Sequence, residues 1–204
     1  MSCDFLILAN SIKNSTGDYK KRCLAGILNP YSETPLFCRL VSDCTGDALN
    51  ENLLVEPNKI LGELHPLDVI QIELGQKLAL DGQPDNIILD ISKPIIYNKR
   101  ESKDFIIKFL QVPQNIWGTD SISESAHFGG SIYLLRIQNP KKGKAFNGRP
   151  SLDFDYNGVN YNVLCTIENF VYVNLSGIND CIICITSGTR YNDAYYKFVA
   201  GLII

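Results

Sequence analysis

The sequence predicts an all-β fold with minor helix, arranged as two tandem β-barrels, and three observations carry that prediction. Eleven short apolar or alternating runs follow one another along the 204 residues. Turn chemistry separates the runs, and helical periodicity is nearly absent. A polar stretch near the middle, residues 92–104, leaves five runs before it and six after.

The first five runs are 5–9, 22–28, 37–42, 67–74 and 87–91. The other six are 105–110, 131–138, 159–166, 170–175, 181–186 and 195–203. Asn29-Pro30, Thr45-Gly46-Asp47, Gly82-Gln83-Pro84, Asn139-Pro140 and Ser176-Gly177 punctuate them as turns. Asn157-Gly158 joins Phe154-Asp155-Tyr156 to Val159-Asn160-Tyr161, and both turn positions tolerate positive φ, which predicts a two-residue hairpin. The best helix candidate is 47–63, where Leu49, Leu53 and Leu54 recur at helical spacing until Pro57 limits it. Five short strands in about 100 residues suit a small closed barrel of the OB type. The expected domains are residues 1–100 and 101–204. No tandem repeat is legible.

Composition agrees with a folded protein, since 45% of residues are hydrophobic and 20% charged. The one N-terminal apolar run, Phe5-Leu6-Ile7-Leu8-Ala9, is too short for a signal-peptide core, and no run reaches membrane-spanning length. A soluble, cytoplasmic protein without membrane contact is expected. Six of the seven cysteines, Cys3, Cys23, Cys38, Cys165, Cys181 and Cys184, lie in or beside apolar runs and read as core thiols. Cys181 and Cys184 have CxxC spacing, but a strand would point them to opposite faces. With only His65 and His127 in the chain, a zinc site is not expected, and neither is any cofactor. Walker, GxGxxG and HExxH motifs are missing, so the reading is non-enzymatic.

Several segments resemble the prokaryotic dual OB domain family. They are "ILANSIK", "KRCLAGIL" and "RLVS" near the start, then "PLDVIQIEL" (66–74), "QPDNIILD" (83–90), "VPQNIW" (112–117), "SIYLLRI" (131–137), "FDYNGVNYNVLCT" (154–166) and "YKFVAGLII" (196–204). They span the chain in the family's order. The resemblance implies two OB-folds, nucleic-acid binding, and an association with phage-defence and other conflict systems. Arg39-Leu40-Val41-Ser42 lacks the family's proline, and Cys165-Thr166-Ile167 lacks the Asp-Pro that often follows the threonine.

Net charge is −3, which argues against a uniformly basic binder. Basic residues nevertheless gather in two windows. Residues 13–22 hold Lys13, Lys20, Lys21 and Arg22 against Asp18, and 141–149 hold Lys141, Lys142, Lys144 and Arg149 without an acid. Basic loops on an acidic body suit a short nucleic acid, RNA or DNA, single-stranded or structured. Their plain alternative is a pair of solvated turns. Tyr19 and Phe146 lie in these windows as stacking candidates. Trp117, Arg39 and Ser42 complete the expected ligand-binding set, with Arg39 and Arg22 as bidentate phosphate partners. Phe154, Tyr156 and Tyr161 are expected half in the core and half on the surface.

The expected function is a nucleic-acid-binding accessory module, which could also engage a partner protein of a defence system. The alternative is a protein-interaction or small-nucleotide-sensing module using the barrel mouths. A phosphodiester-acting enzyme ranks third, because Asp153 and Asp155 are the only close carboxylates beside a basic loop.

Overall fold

The computed structural model describes residues 2–13, 20–118, 122–123, 130–145, 148–188, 190 and 193–204. The chain divides into two compact units, Met1–Leu80 with Pro84–Ile106 and Asp81–Gln83 with Ile107–Ile204.

The first unit begins with β1 (Ser2–Lys13), β2 (Lys21–Leu28) and β3 (Leu36–Val41) as an antiparallel meander. The short strands β4 (Leu49–Asn50), β5 (Leu54–Glu56) and β6 (Lys59–Ile60) follow. The long hairpin of β7 (Asp68–Leu80) and β8 (Gln83–Leu89) then precedes β9 (Ile95–Arg100). A register shift between Ile7 and Ala9 kinks β1. Its first half pairs with β7, from Ser2↔Glu73 to Leu6↔Val69, while Phe5–Lys13 pairs with β2. β3 meets β8 in parallel at Arg39↔Asn86, Leu40↔Ile87 and Val41↔Ile88. The ring β1-β2-β3-β8-β7 therefore closes on itself, which is the five-strand Greek-key barrel of the OB type. Phe5, Ile7, Leu24, Leu40, Ile70 and Ile87 fill it.

Gly26 sets how tightly the wall packs. A Cβ there would lie 2.1 Å from the Leu6 carbonyl oxygen and 2.7 Å from the Phe5 ring. The close approach is made by the backbone of β1, which settles why glycine stands in the Cys23-Leu24-Ala25-Gly26 stretch.

Two expectations are corrected here. Residues 47–63 form β4, β5, β6 and a 3₁₀ turn, Leu61–Glu63, in place of a helix. Of the leucines at helical spacing, Leu49 on β4 is fully buried, Leu53 packs partly against the core between strands, and Leu54 on β5 is 77% exposed. The polar stretch 92–104 contains β9, which pairs with β7 from Asp68↔Arg100 to Gln71↔Ile96. Its charged side chains face water on an outer strand, so polarity there marks an exposed strand. The single α-helix among the described residues is one turn, Lys103–Ile106.

The second unit contains β10 (Ile122–Ser123), β11 (Ile132–Lys144), β12 (Pro150–Tyr156), β13 (Val159–Leu164), β14 (Asp180–Ser187) and β15 (Tyr195–Ile203). Their order is β10-β15-β14-β11-β12-β13. The ends of β11–β15 meet through one parallel bridge, Cys165↔Val199, with Thr166 N–H donating to the Val199 carbonyl at 3.0 Å. First-to-third strands as a meander and a parallel third–fifth seam repeat the connectivity of the first unit. The Asn157-Gly158 hairpin is present, with φ +49° and +77°. Phe154, Tyr156 and Tyr161 are all buried, which corrects the half-surface expectation. Phe154 and Tyr156 share one face of β12, and Tyr161 stacks on Phe154 from β13 with ring centroids 5.5 Å apart.

Gly26→Ala forces a methyl group against a backbone carbonyl that strand pairing holds in place. The expected loss is about 1–3 kcal/mol, the usual cost of overpacking, measured as a lowered urea midpoint with unchanged m-value.

Candidate nucleic-acid interface

The two basic windows meet different fates. In the first unit, Asp47 accepts hydrogen bonds from both Lys13, at 3.0 Å, and Lys21. Lys21 chiefly, and then Lys13, hold the Asp47 carboxyl down at about 2 against its ordinary 3.8. Arg22 is 4% exposed, and its guanidinium donates to Glu51 at 3.0 Å. Arg39 is 5% exposed, and donates to the Asn86 carboxamide oxygen at 3.3 Å. Both arginines are part of the barrel wall, so neither offers the expected open fork to a phosphate. Ser42 turns its hydroxyl to Asp43 and to the Asp47 carbonyl, each at 3.3 Å. Lys20 is exposed. Tyr19 lies outside the described residues.

The alternation of β2 explains the split. Arg22 and Leu24 share the inward phase, whereas Lys21 points out. Arg22 is therefore drawn over the barrel end, where Glu51 beside β4 receives it.

The second window stays open to solvent. Lys141, Lys142 and Lys144 are exposed at the end of β11, and Arg149 is exposed just before β12. Lys141 lies opposite Asp153 on β12. The Asp153 carboxylate folds over Gly143 and accepts a hydrogen bond from Asn162. Lys142 reaches across to donate to the Val171 carbonyl at 2.6 Å, which ties β11 to the connection between β13 and β14. That connection carries a 3₁₀ turn, Phe170–Tyr172. Between strand and connection lies an open cavity of about 430 Å³. Pro140, Lys141 and Lys142 line one side, and Tyr172, Asn174 and Ser176 the other, with no acidic side chain among the described lining residues. Phe146 lies outside the described residues.

Trp117 does not join this groove. It sits at φ +49°, half-buried, stacked on Tyr133 with ring centroids 4.5 Å apart. Lys197 holds its turn in place. This lysine is 1% exposed, and its ammonium donates to the carbonyls of Ile116 at 2.8 Å and Gly118 at 3.0 Å, with the Tyr161 ring 5.4 Å away. Tyr156 and Asn157 tie down the same loop through the Pro113 carbonyl. Sequence reasoning missed Lys197. Its signal was present, because Tyr195, Lys197 and Val199 occupy one phase of β15 and that phase faces inward.

Comparison with known proteins completes the picture. A family model described as the dual OB-containing domain matches residues 3–202. The chain belongs to the dual OB-containing domain family. No curated protein matches it. Among solved structures, a murine DNA-binding protein bound with double-stranded DNA aligns at 10% identity and TM-score 0.40, over 100% of this chain and 97% of that one. The tetrameric p202 HIN2 aligns at 13% identity and TM-score 0.36, over 100% and 92%. Likenesses this distant bear on neither fold nor ligand. No helix among the described residues of this family member is long and apolar enough to cross a membrane.

Two measurements test these assignments. Arg22→Ala strands the half-buried Glu51 and is expected to cost about 3 kcal/mol, whereas Lys20→Ala stays within about 0.5 kcal/mol by chemical denaturation. Asp47 has a lowered native pKa, so its ion pairs contribute above the ordinary carboxylate value and lose that contribution as pH falls toward 2. Asp47→Asn should lower the unfolding free energy at pH 7 by under about 1 kcal/mol in chemical denaturation, with the difference fading as pH falls through about 2.

Proposed function

We propose that this dual OB protein is a non-enzymatic nucleic-acid-binding module whose main contact surface is the basic end of β11 in the second unit. The observation that carries this reading is the set Lys141, Lys142, Lys144 and Arg149 beside an open groove with no acid among its described lining residues. Lysines in solvent release counterions when they meet phosphates, which is the common source of nucleic-acid affinity. The matching cations of the first unit contribute less, since Asp47 and Glu51 already engage them. A role as accessory to proteins of a defence system rests on the family resemblance and belongs to the same proposal. The acidic remainder of the chain confines binding to this surface and disfavours indiscriminate coating.

The test is binding of short oligonucleotides across a salt series. Wild type should lose affinity steeply as salt rises. Lys141→Ala/Lys142→Ala/Lys144→Ala should weaken binding for all sequences alike and reduce the salt slope by about one for each phosphate no longer neutralised. Alanines at the exposed Lys77 and Lys93 serve as the control. Equal slopes for triple variant and wild type would remove this surface from the interface.

A further inference from the structure

We propose that the groove of the second unit is a stacking pocket for a base of single-stranded nucleic acid, with Tyr172 as its platform and Lys141 and Lys142 as its phosphate contacts. This rests on the reading just given and names the ligand class of the same site. The groove lies between the end of β11 and the β13–β14 connection. The β11 end leads into the loop between this unit's first two strands, a usual oligonucleotide-binding element of the barrel type, whereas the β13–β14 connection that carries Tyr172 is not one of those elements.

Tyr172 is 83% exposed, and its neighbour Val171 is also exposed. The exposure is built in. Phe170 on the same turn is buried at 3% and anchors it to the core. Asn169, at φ +58°, turns the chain into the 3₁₀ segment. The Tyr172 N–H donates to the Asn169 carbonyl at 2.9 Å, and the Val173 N–H to the Phe170 carbonyl at 3.0 Å. An anchored turn thus holds a large ring in water, where it has a free face but no core to join.

Charge stands beside the ring. Lys142 spends one ammonium hydrogen on the Val171 carbonyl, one residue before the tyrosine, and two remain for anionic oxygens. Lys141 lines the same groove. The Asn174 carboxamide oxygen accepts the Ser176 N–H at 3.0 Å, which orients that side chain and leaves its amide donors for a base edge. A cavity of about 430 Å³ falls within the range of small-ligand clefts and accommodates one nucleotide. A ring face selects single strands because a duplex keeps its base faces inside its own stack.

Fluorescence anisotropy with an end-labelled single strand, and with the duplex of the same sequence, tests this at low salt on the full chain. A 2-aminopurine in the strand reports stacking. Wild type should prefer the single strand and quench the probe. Tyr172→Ala should weaken single-strand binding about tenfold and abolish the quench with the salt slope unchanged, since no charge is removed. Tyr172→Phe should restore both. If Tyr172→Ala binds and quenches like wild type, or if the duplex binds as tightly as the single strand, the pocket assignment is wrong even when Lys141 and Lys142 still set the salt slope. If wild type binds neither form, the nucleic-acid reading falls with it.

Discussion

The Leu6 carbonyl lies where a side chain on residue 26 would begin. That contact lets β1 and β2 approach closely enough for β1, kinked between Ile7 and Ala9, to serve β2 along one edge and β7 along the other. Closure follows from that double use, because the ring needs one strand that bends to meet both neighbours. Once the ring is closed, the ends of its strands are fixed in space. Arg22, Lys21 and Lys13 then meet Glu51 and Asp47 across the barrel end.

The two units repeat one connectivity and diverge where charge matters. Each runs three antiparallel strands, a connection, and a hairpin whose last strand returns parallel to the third. The parallel seam is three residue pairs in the first unit and one bridge in the second. In the first unit the connection between third and fourth strands supplies Asp47 and Glu51. In the second it supplies Tyr172, Asn174 and Ser176. One connection neutralises the cations it meets, whereas the other leaves them beside an open groove. A charge census cannot distinguish these outcomes, because potential depends on which carboxylate the fold brings within about 3–4 Å of each cation.

Within each unit, polar side chains tie the connections to the strands. Asp68 accepts Arg100 at 3.1 Å and the His65 N–H at 2.8 Å, while Leu67 beside it takes φ +80°. Asn10 donates to the carbonyls of Leu61 and Leu64, at 2.8 and 2.7 Å. Lys197 holds the turn that carries Trp117. Strand ladders satisfy the backbone inside a barrel wall, but connections crossing a barrel end bring carbonyls and N–H groups that side chains must meet. Several residues in the "LANS", "PLD" and "VPQNIW" segments have this role. Those segments carried the family resemblance, and their chemistry is architectural.

The sequence by itself determined the all-β class and the Asn157-Gly158 hairpin, which depend on local chemistry, alternation and positive φ, and its segments carried the resemblance to the family. It also placed both basic windows, since charge is countable. Only the tertiary structure decided that Arg22 and Arg39 close a wall, that Phe154, Tyr156 and Tyr161 all enter the core, and that Lys197 is inside. Those outcomes depend on partners far along the chain, as Arg39 depends on Asn86. Tyr172 shows the same limit from the other side. It follows Phe170 in an ordinary apolar run, and one ring is buried while the other stands in solvent because the connection crosses the barrel end there. Local sequence sets what a side chain can do, and barrel closure decides which neighbours it meets.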